Sequence, residues 1–169
     1  MESLIAYLDT CIVSGLAKGD LAHPDIEALL KVLQKHKKRA LCLVTSQITK
    51  EEIDRIPQKY RLQHEVIYNL LLDLPVARAF RTDSGLMLMG VGGGVRLHPM
   101  LAKLNTLLSD EADARHLYQA ARNDVRYFIT TDTRTILRRK AEIEEISQVI
   151  AISPTEFLRI AEDVELRNA

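Results

Sequence analysis

The sequence predicts an α/β fold organised around a mostly parallel sheet, and two observations carry that expectation. Short apolar runs such as Leu4 to Leu8 and Leu41 to Val44 stop abruptly at polar residues, as strands buried on both faces do. Longer segments between them repeat apolar residues at three- and four-residue spacing, the mark of amphipathic helices. Regular alternation of the two types is the pattern of βαβ units and a parallel sheet.

Taken in order, the first run, Leu4 to Leu8, reads as a strand that ends at Asp9-Thr10. From Pro24 to His36, Ile26, Leu29, Leu30 and Leu33 share a helical face, with Pro24 placed for helix initiation. Leu41 to Val44 is a second strand, followed by Thr45-Ser46 and a helix running to about Ile56, closed by Pro57. Leu62 to Leu72 is a further amphipathic helix. Residues 85–94 hold five of the seven glycines, so that stretch is expected to be mobile, a flap or a subunit contact. It has neither the ending of a phosphate-binding loop nor a dinucleotide fingerprint. A helix from about Ala112 to Arg122 follows, then a strand from Tyr127 to Thr130 leading into Thr131-Asp132-Thr133. A short helix is expected from about Thr133, a last strand from Val149 to Ile152, and a terminal helix opened by Ser153 and Pro154 as N-cap and first helical residue.

The 169 residues, 47% of them apolar, suit one domain spanning 1–169 with a sizeable core. Acidic and basic residues balance at 23 each, so no global field draws the chain to polyanions or membranes, and any such binding must be local. Met1-Glu2-Ser3 lacks a basic start and a long apolar core, unlike a signal peptide. No apolar run approaches the roughly 18 residues of a membrane span. Cys11 and Cys42 have no ligand-like spacing and read as buried, reduced thiols. The expected setting is cytoplasmic, with no membrane partner.

In open α/β sheets, ligands bind beyond the carboxyl ends of the strands. Asp9 and Asp132 both stand at such ends. Each alone reads equally as a helix cap or turn residue; two at one edge point to a shared site. Asp113 heads the apolar stripe of its helix, with Leu117, Ala120 and Ala121 below it, while Arg115, Tyr118, Gln119 and Arg122 point away. An acid facing a core needs a partner or a metal; in the first turn it also complements the helix dipole. Glu52 has two readings. Thr49-Lys50-Glu51-Glu52 matches a capping box, whereas a helix starting at Ser46 turns Glu52 inward beside Ile48 and Ile56.

Leu8-Asp9-Thr10, Thr45-Ser46 with Glu52 six residues on, Asp113-Ala114-Arg115-His116-Leu117 with Ala120-Ala121, and Thr130-Thr131-Asp132 together resemble the PIN-domain family. The likeness runs from residue 4 to about 137. It implies a three-layer α/β/α sandwich and a nuclease whose carboxylates bind one or two divalent metals and hydrolyse RNA, less often DNA. By that resemblance Asp9, Glu52, Asp113 and Asp132 form the catalytic site, Asp9, Asp113 and Asp132 hold the metal, and Thr10 and Thr130 support them. Glu51 takes the place of Glu52 if the helix is rotated by one residue. Oxygen donors without a His/Cys set select Mg²⁺ or Mn²⁺. His116, three residues after Asp113, is expected to pack or support rather than ligate.

Arg134, Arg138, Arg139 and Lys140 are the nearest cations in sequence for phosphate contact, or else a solvated helix face. The chain departs from compact toxin-like members by its length and by an insertion around residues 73–109. The resemblance further implies an RNA substrate, an antitoxin-like protein inhibitor if the chain acts as a toxin, and a homodimer. Two rivals stand beside the nuclease. One is a catalytically inactive PIN-like module that binds RNA or protein. The other is an aspartyl phosphotransferase or phosphatase using Asp9, whose usual second acid is here Cys11.

Overall fold

The computed structural model describes residues 4–72, 87–89 and 95–168. In chain order the elements are β1 (Leu4–Leu8), α1 (Thr10–Lys18), α2 (His23–Lys37), β2 (Leu41–Val44), α3 (Gln47–Arg55), α4 (Gln58–Leu72), β3 (Met87–Met89) and β4 (Val95–Leu97). There follow α5 (Pro99–Leu107), α6 (Glu111–Arg122), β5 (Tyr127–Ile129), a 3₁₀ turn (Leu137–Arg139), α7 (Lys140–Ser147), β6 (Ile150–Ile152) and α8 (Pro154–Asn168).

Four strands form one sheet in the order β2-β1-β5-β6. Every pairing in it is parallel, with Leu4 opposite Leu41, Leu8 opposite Ile129 and Ile129 opposite Ile152. Because side chains alternate along a strand, each face carries its own core. On one face Tyr7, Val44, Phe128 and Ala151 pack with Leu101 and Leu104 of α5, Leu117 and Tyr118 of α6 and Ile143 of α7. On the other, Ala6, Leu8, Leu43 and Ile129 pack with Ile12 of α1, Leu29 and Val32 of α2, and Phe157 and Leu158 of α8. The molecule is therefore a three-layer α/β/α sandwich on an all-parallel sheet. Tyr7 and Phe128 stack at 5.3 Å between ring centroids in the middle of the first core. Val13 and Ile53 form a smaller cluster with Ile56 and Ile67, joining α1, α3 and α4.

Parallel strands bring all their carboxyl ends to one edge, and the two central strands are neighbours. The Asp9 N–H donates to the Ile129 carbonyl at 3.1 Å and the Thr130 N–H to that of Ile152 at 3.0 Å. The residues following β1 and β5 are thereby fixed side by side.

Local chemistry explains most helix starts. Ser46 caps α3 by accepting from the Ile48 N–H at 3.2 Å, which removes the capping-box reading of Glu52. Ser153 and Glu156 form a reciprocal cap on α8, Glu156 N–H to Ser153 Oγ at 3.2 Å and Ser153 N–H to Glu156 Oε2 at 2.9 Å.

Two expectations are corrected. No helix starts at Thr133: residues 133–136 form turns, closed by Asp132 accepting from the Arg134 and Thr135 N–H groups at 2.9 and 3.0 Å, and helical structure begins only with the 3₁₀ turn at Leu137. Nor is α6 one-sided, since Tyr118 and Gln119 are buried with Leu117 and Ala120. The reason is α5, which packs against α6 and which no element expected from the sequence supplied. Of the glycine-rich stretch, β3 pairs antiparallel with β4, and the expected mobility of the rest lies outside the described residues. No helix among the described residues is long and apolar enough to cross a membrane.

Candidate functional site

Asp9 follows β1 and is only 3% exposed. It occupies the N-cap position of α1, yet its side chain makes no capping bond; Oδ2 instead accepts from the Thr130 hydroxyl at 2.7 Å. The capping explanation therefore fails for Asp9. Asp132 is the opposite case. Its Oδ1 caps the turn after β5, and its Oδ2 accepts from the Thr135 hydroxyl. Thr130 joins the two acids, because its hydroxyl oxygen also accepts from the Asp132 N–H at 3.1 Å.

Asp113 reaches the same edge from the first turn of α6. The cap there is Asp110, whose Oδ1 accepts from the Ala112 N–H at 2.8 Å, so Asp113 is free of that duty. Its Oδ2 lies 3.4 Å from the Thr135 hydroxyl. Burial, then the negative charges of Asp9, Asp110 and Asp132, push the Asp113 carboxyl up to about 7, against a smaller opposing effect of His116. Asp132 moves the other way. Burial raises it, but bonds from the Thr135 hydroxyl and the Thr135 and Arg134 N–H groups, with the charge of Arg134, hold it below the usual range.

Glu52 lies in an adjoining network with a different character. The Thr10 hydroxyl donates to its Oε2, and His116 Nε2 lies 2.7 Å from the same oxygen and 3.1 Å from Thr10 Oγ1. On the other side of the ring, His116 Nδ1 is 2.7 Å from the Tyr7 hydroxyl, which donates to Ser46 Oγ. Tyr7, Ser46 and His116 are essentially fully buried. Burial pushes Glu52 up, yet the bond and charge of His116, the bond from Thr10 and the charge of Arg55 outweigh it, leaving this carboxyl below its ordinary value. Glu51 is turned to Arg115 Nη2 at 3.1 Å and does not enter the network.

Beside Thr135 opens a cleft of about 240 Å³, bounded by Leu107, Leu108 and Ser109 before α6 and by Arg134, Arg138 and Arg139 after β5. Arg139 is also 3.4 Å from Glu142, and Lys140 is 3.5 Å from Glu156; Lys140 does not line the cleft. A larger cavity of about 650 Å³ lies at the amino edge of the sheet, between 121–126 and 144–149, remote from these acids. Both cysteines are free and partly buried. Cys11 Sγ lies 3.2 Å from Thr130 Oγ1, and burial, then Asp9, pushes the thiol up to about 12, so it is no nucleophile.

Among the described residues, no three Asp, Glu, His or Cys side chains close on one point tightly enough to hold a metal ion as they stand. By donor chemistry Asp9, Asp113 and Asp132 do fit a hard cation. Burial, then the charges of Asp9, Asp110 and Asp132, oppose the ionisation of Asp113, a cost that a divalent ion removes. Glu52 fits less well, since its charge is already answered by His116.

Sequence reasoning missed Tyr7, Ser46 and Thr135 as site residues. Tyr7 offered one signal, a phenol within an otherwise aliphatic strand; Thr135 offered none. In comparisons with family models, curated proteins and solved structures, nothing matches this chain.

Proposed function

We propose that this chain is a divalent-metal-dependent phosphodiesterase acting on nucleic acid, with RNA the first substrate to test. One observation carries the reading. Asp9, Asp113 and Asp132 converge on the carboxyl edge of the sheet, where ligands bind in open α/β folds, linked through the hydroxyls of Thr130 and Thr135, and there burial, then the charges of Asp9, Asp110 and Asp132, raise Asp113 to about 7. Structural carboxylates are normally paired with donors or cations; repelling ones mark a place for a cation.

Asp9 and Asp113 would hold Mg²⁺ or Mn²⁺ directly, with Asp132 beside them. The bound ion supplies an acidified water and neutralises charge developing on the phosphate. The protein does the rest by placement. Thr130 orients Asp9, and the turn at 132–135 fixes Asp132. Asp113 would have to give up its proton to hold the cation, so loading would become easier as pH rises. The Arg134, Arg138 and Arg139 cleft next to Thr135 would receive a neighbouring phosphate, which fixes register rather than sequence. The resemblance to PIN domains adds two partners, a protein inhibitor that plugs the acidic edge and a second copy of the chain.

A second reading, a binding module without catalysis, is favoured by Asp132 and Glu52, whose carboxylates already have protein partners in the 132–135 turn and in His116. The phosphotransferase reading gains nothing, for Cys11, at its second-acid position, faces Thr130.

The test is cleavage of mixed-sequence RNA and single-stranded DNA with Mg²⁺, Mn²⁺ or EDTA, for wild type, Asp9→Asn and Asp113→Asn. Metal-dependent cleavage lost in both variants supports the nuclease. RNA binding with no cleavage under any metal supports the module. Cleavage indifferent to EDTA and to both substitutions removes the assignment.

A further inference from the structure

We propose that Glu52 and His116 act as one positioning unit, which holds Asp113 against Asp9, and that Glu52 is not itself a metal ligand. The inference rests on the cation-binding reading above and deepens it.

Asp113 and His116 stand one turn apart on α6, so what fixes His116 fixes the stretch of helix that bears Asp113. The imidazole is 1% exposed and gripped at both nitrogens, by the Tyr7 hydroxyl of β1 at 2.7 Å and by Glu52 of α3 at 2.7 Å. Tyr7 lies two residues before Asp9, and Thr10, the residue after Asp9, donates to the same Glu52 oxygen. The network thus grips α6 on one side and both chain neighbourhoods of Asp9 on the other. Opposing it, burial and then the charges of Asp9, Asp110 and Asp132 disfavour an ionised Asp113 at this edge, so its placement there needs support from the surrounding fold. A buried, bonded couple is well suited to give that support, since breaking it would strand polar groups away from water.

Glu52 looks like a fourth ligand in sequence. In space its Oε2 accepts from Thr10 and meets His116 Nε2, the arrangement by which outer groups orient ligands rather than bind the ion.

The experiment measures Mn²⁺ affinity of the full-length protein by calorimetry, with circular dichroism as a folding control. Compared are wild type, Glu52→Gln, His116→Gln, the double variant and the milder Tyr7→Phe. Glu52→Gln and His116→Gln are each expected to weaken Mn²⁺ binding by roughly 10–100-fold, with the double variant no weaker than either single, because one unit is broken once. Tyr7→Phe should weaken binding in the same direction. At saturating Mn²⁺ the cleavage rate should return to near wild type for these variants and not for Asp9→Asn, which lacks a ligand.

Weakened binding in Glu52→Gln alone, with His116→Gln and Tyr7→Phe unchanged, would make Glu52 a ligand and overturn the proposal. So would losses that add in the double variant. Should either glutamine variant unfold, an unchanged affinity in Tyr7→Phe overturns the proposal by itself. Wild type that binds no Mn²⁺ sinks the metal reading; wild type that binds it while every variant matches sinks only the positioning unit.

Discussion

Asp113 and Glu52 are both helix-borne acids turned towards the same end of the sheet, and they respond to that place in opposite ways. Asp113 is raised to about 7 while Glu52 falls below its ordinary value, although burial pushes both upward. The difference lies in the neighbours. Glu52 meets His116 and the Thr10 hydroxyl, whereas Asp113 meets Asp9, Asp110 and Asp132. One half of the edge is thus a satisfied network that stabilises the fold. In the other half, burial and then three nearby acids disfavour an ionised Asp113, a cost that a bound cation would relieve.

The sharpest way to break this contrast is to remove a repelling acid. Asp9→Asn should lower metal-dependent cleavage by about 10²–10³-fold, the several kcal/mol that a lost metal ligand is worth in the transition state. Single-turnover rates at fixed metal would show it, and a wild-type rate would place the chemistry elsewhere.

The substrate side of the acidic half is checked by Arg134→Ala with Arg138→Ala. Binding of a fluorescent oligonucleotide in Ca²⁺ should weaken for all sequences alike, and the salt slope should fall by about one per arginine. An unchanged slope would leave these residues as a solvated turn.

In the satisfied half, Tyr7→Phe removes the hydroxyl between His116 and Ser46 while keeping the ring on Phe128. Urea denaturation should show a loss of about 1–3 kcal/mol, the cost of buried polar groups left without a partner. A loss near zero would mean that the network relaxes freely.

The two halves also differ in pH dependence. The folded value of Asp113 lies above that of the unfolded chain, so the native state binds this proton more tightly. Its contribution to stability is complete below about pH 4 and disappears as pH rises through about 7. Metal-free protein should therefore melt at a lower temperature at pH 8 than at pH 6, other groups aside. Asp113→Asn should flatten that difference, and Mn²⁺ should reverse it. Glu52 has the opposite sign: its lowered value stabilises above the unfolded pKa and is lost only on acidification.

The smallest expected effect belongs to Asp110. Its loss as the α6 cap costs about 1 kcal/mol, partly offset by removing one charge that opposes Asp113. The titration of Asp113, followed by NMR, should move downward in Asp110→Ala.

Much of this was legible in the chain and some was not. The strand ends at Asp9 and near Asp132 stood out because short apolar runs stop there, and an all-parallel sheet then had to place them at one edge. The inward turn of Glu52 was one of two readings until the Ser46 cap fixed where α3 begins. His116 offered only its spacing from Asp113. That it bridges β1 and α3 depends on contacts with residues 109 and 64 positions away. For α5 a signal was present, Pro99 followed by Leu101, Leu104 and Leu108 at helical spacing, but its packing on α6 was not, since spacing does not say which helix covers a face.

By itself the sequence determined the alternation of strands and helices and the acids at the strand ends, because periodicity and termination are properties of neighbouring residues. Only the tertiary structure decided which acids oppose one another and which is answered by a buried imidazole. Those pairings are set by strand order and by layers packing across the sheet, and chemically similar carboxylates are shifted in opposite directions by the company that packing gives them.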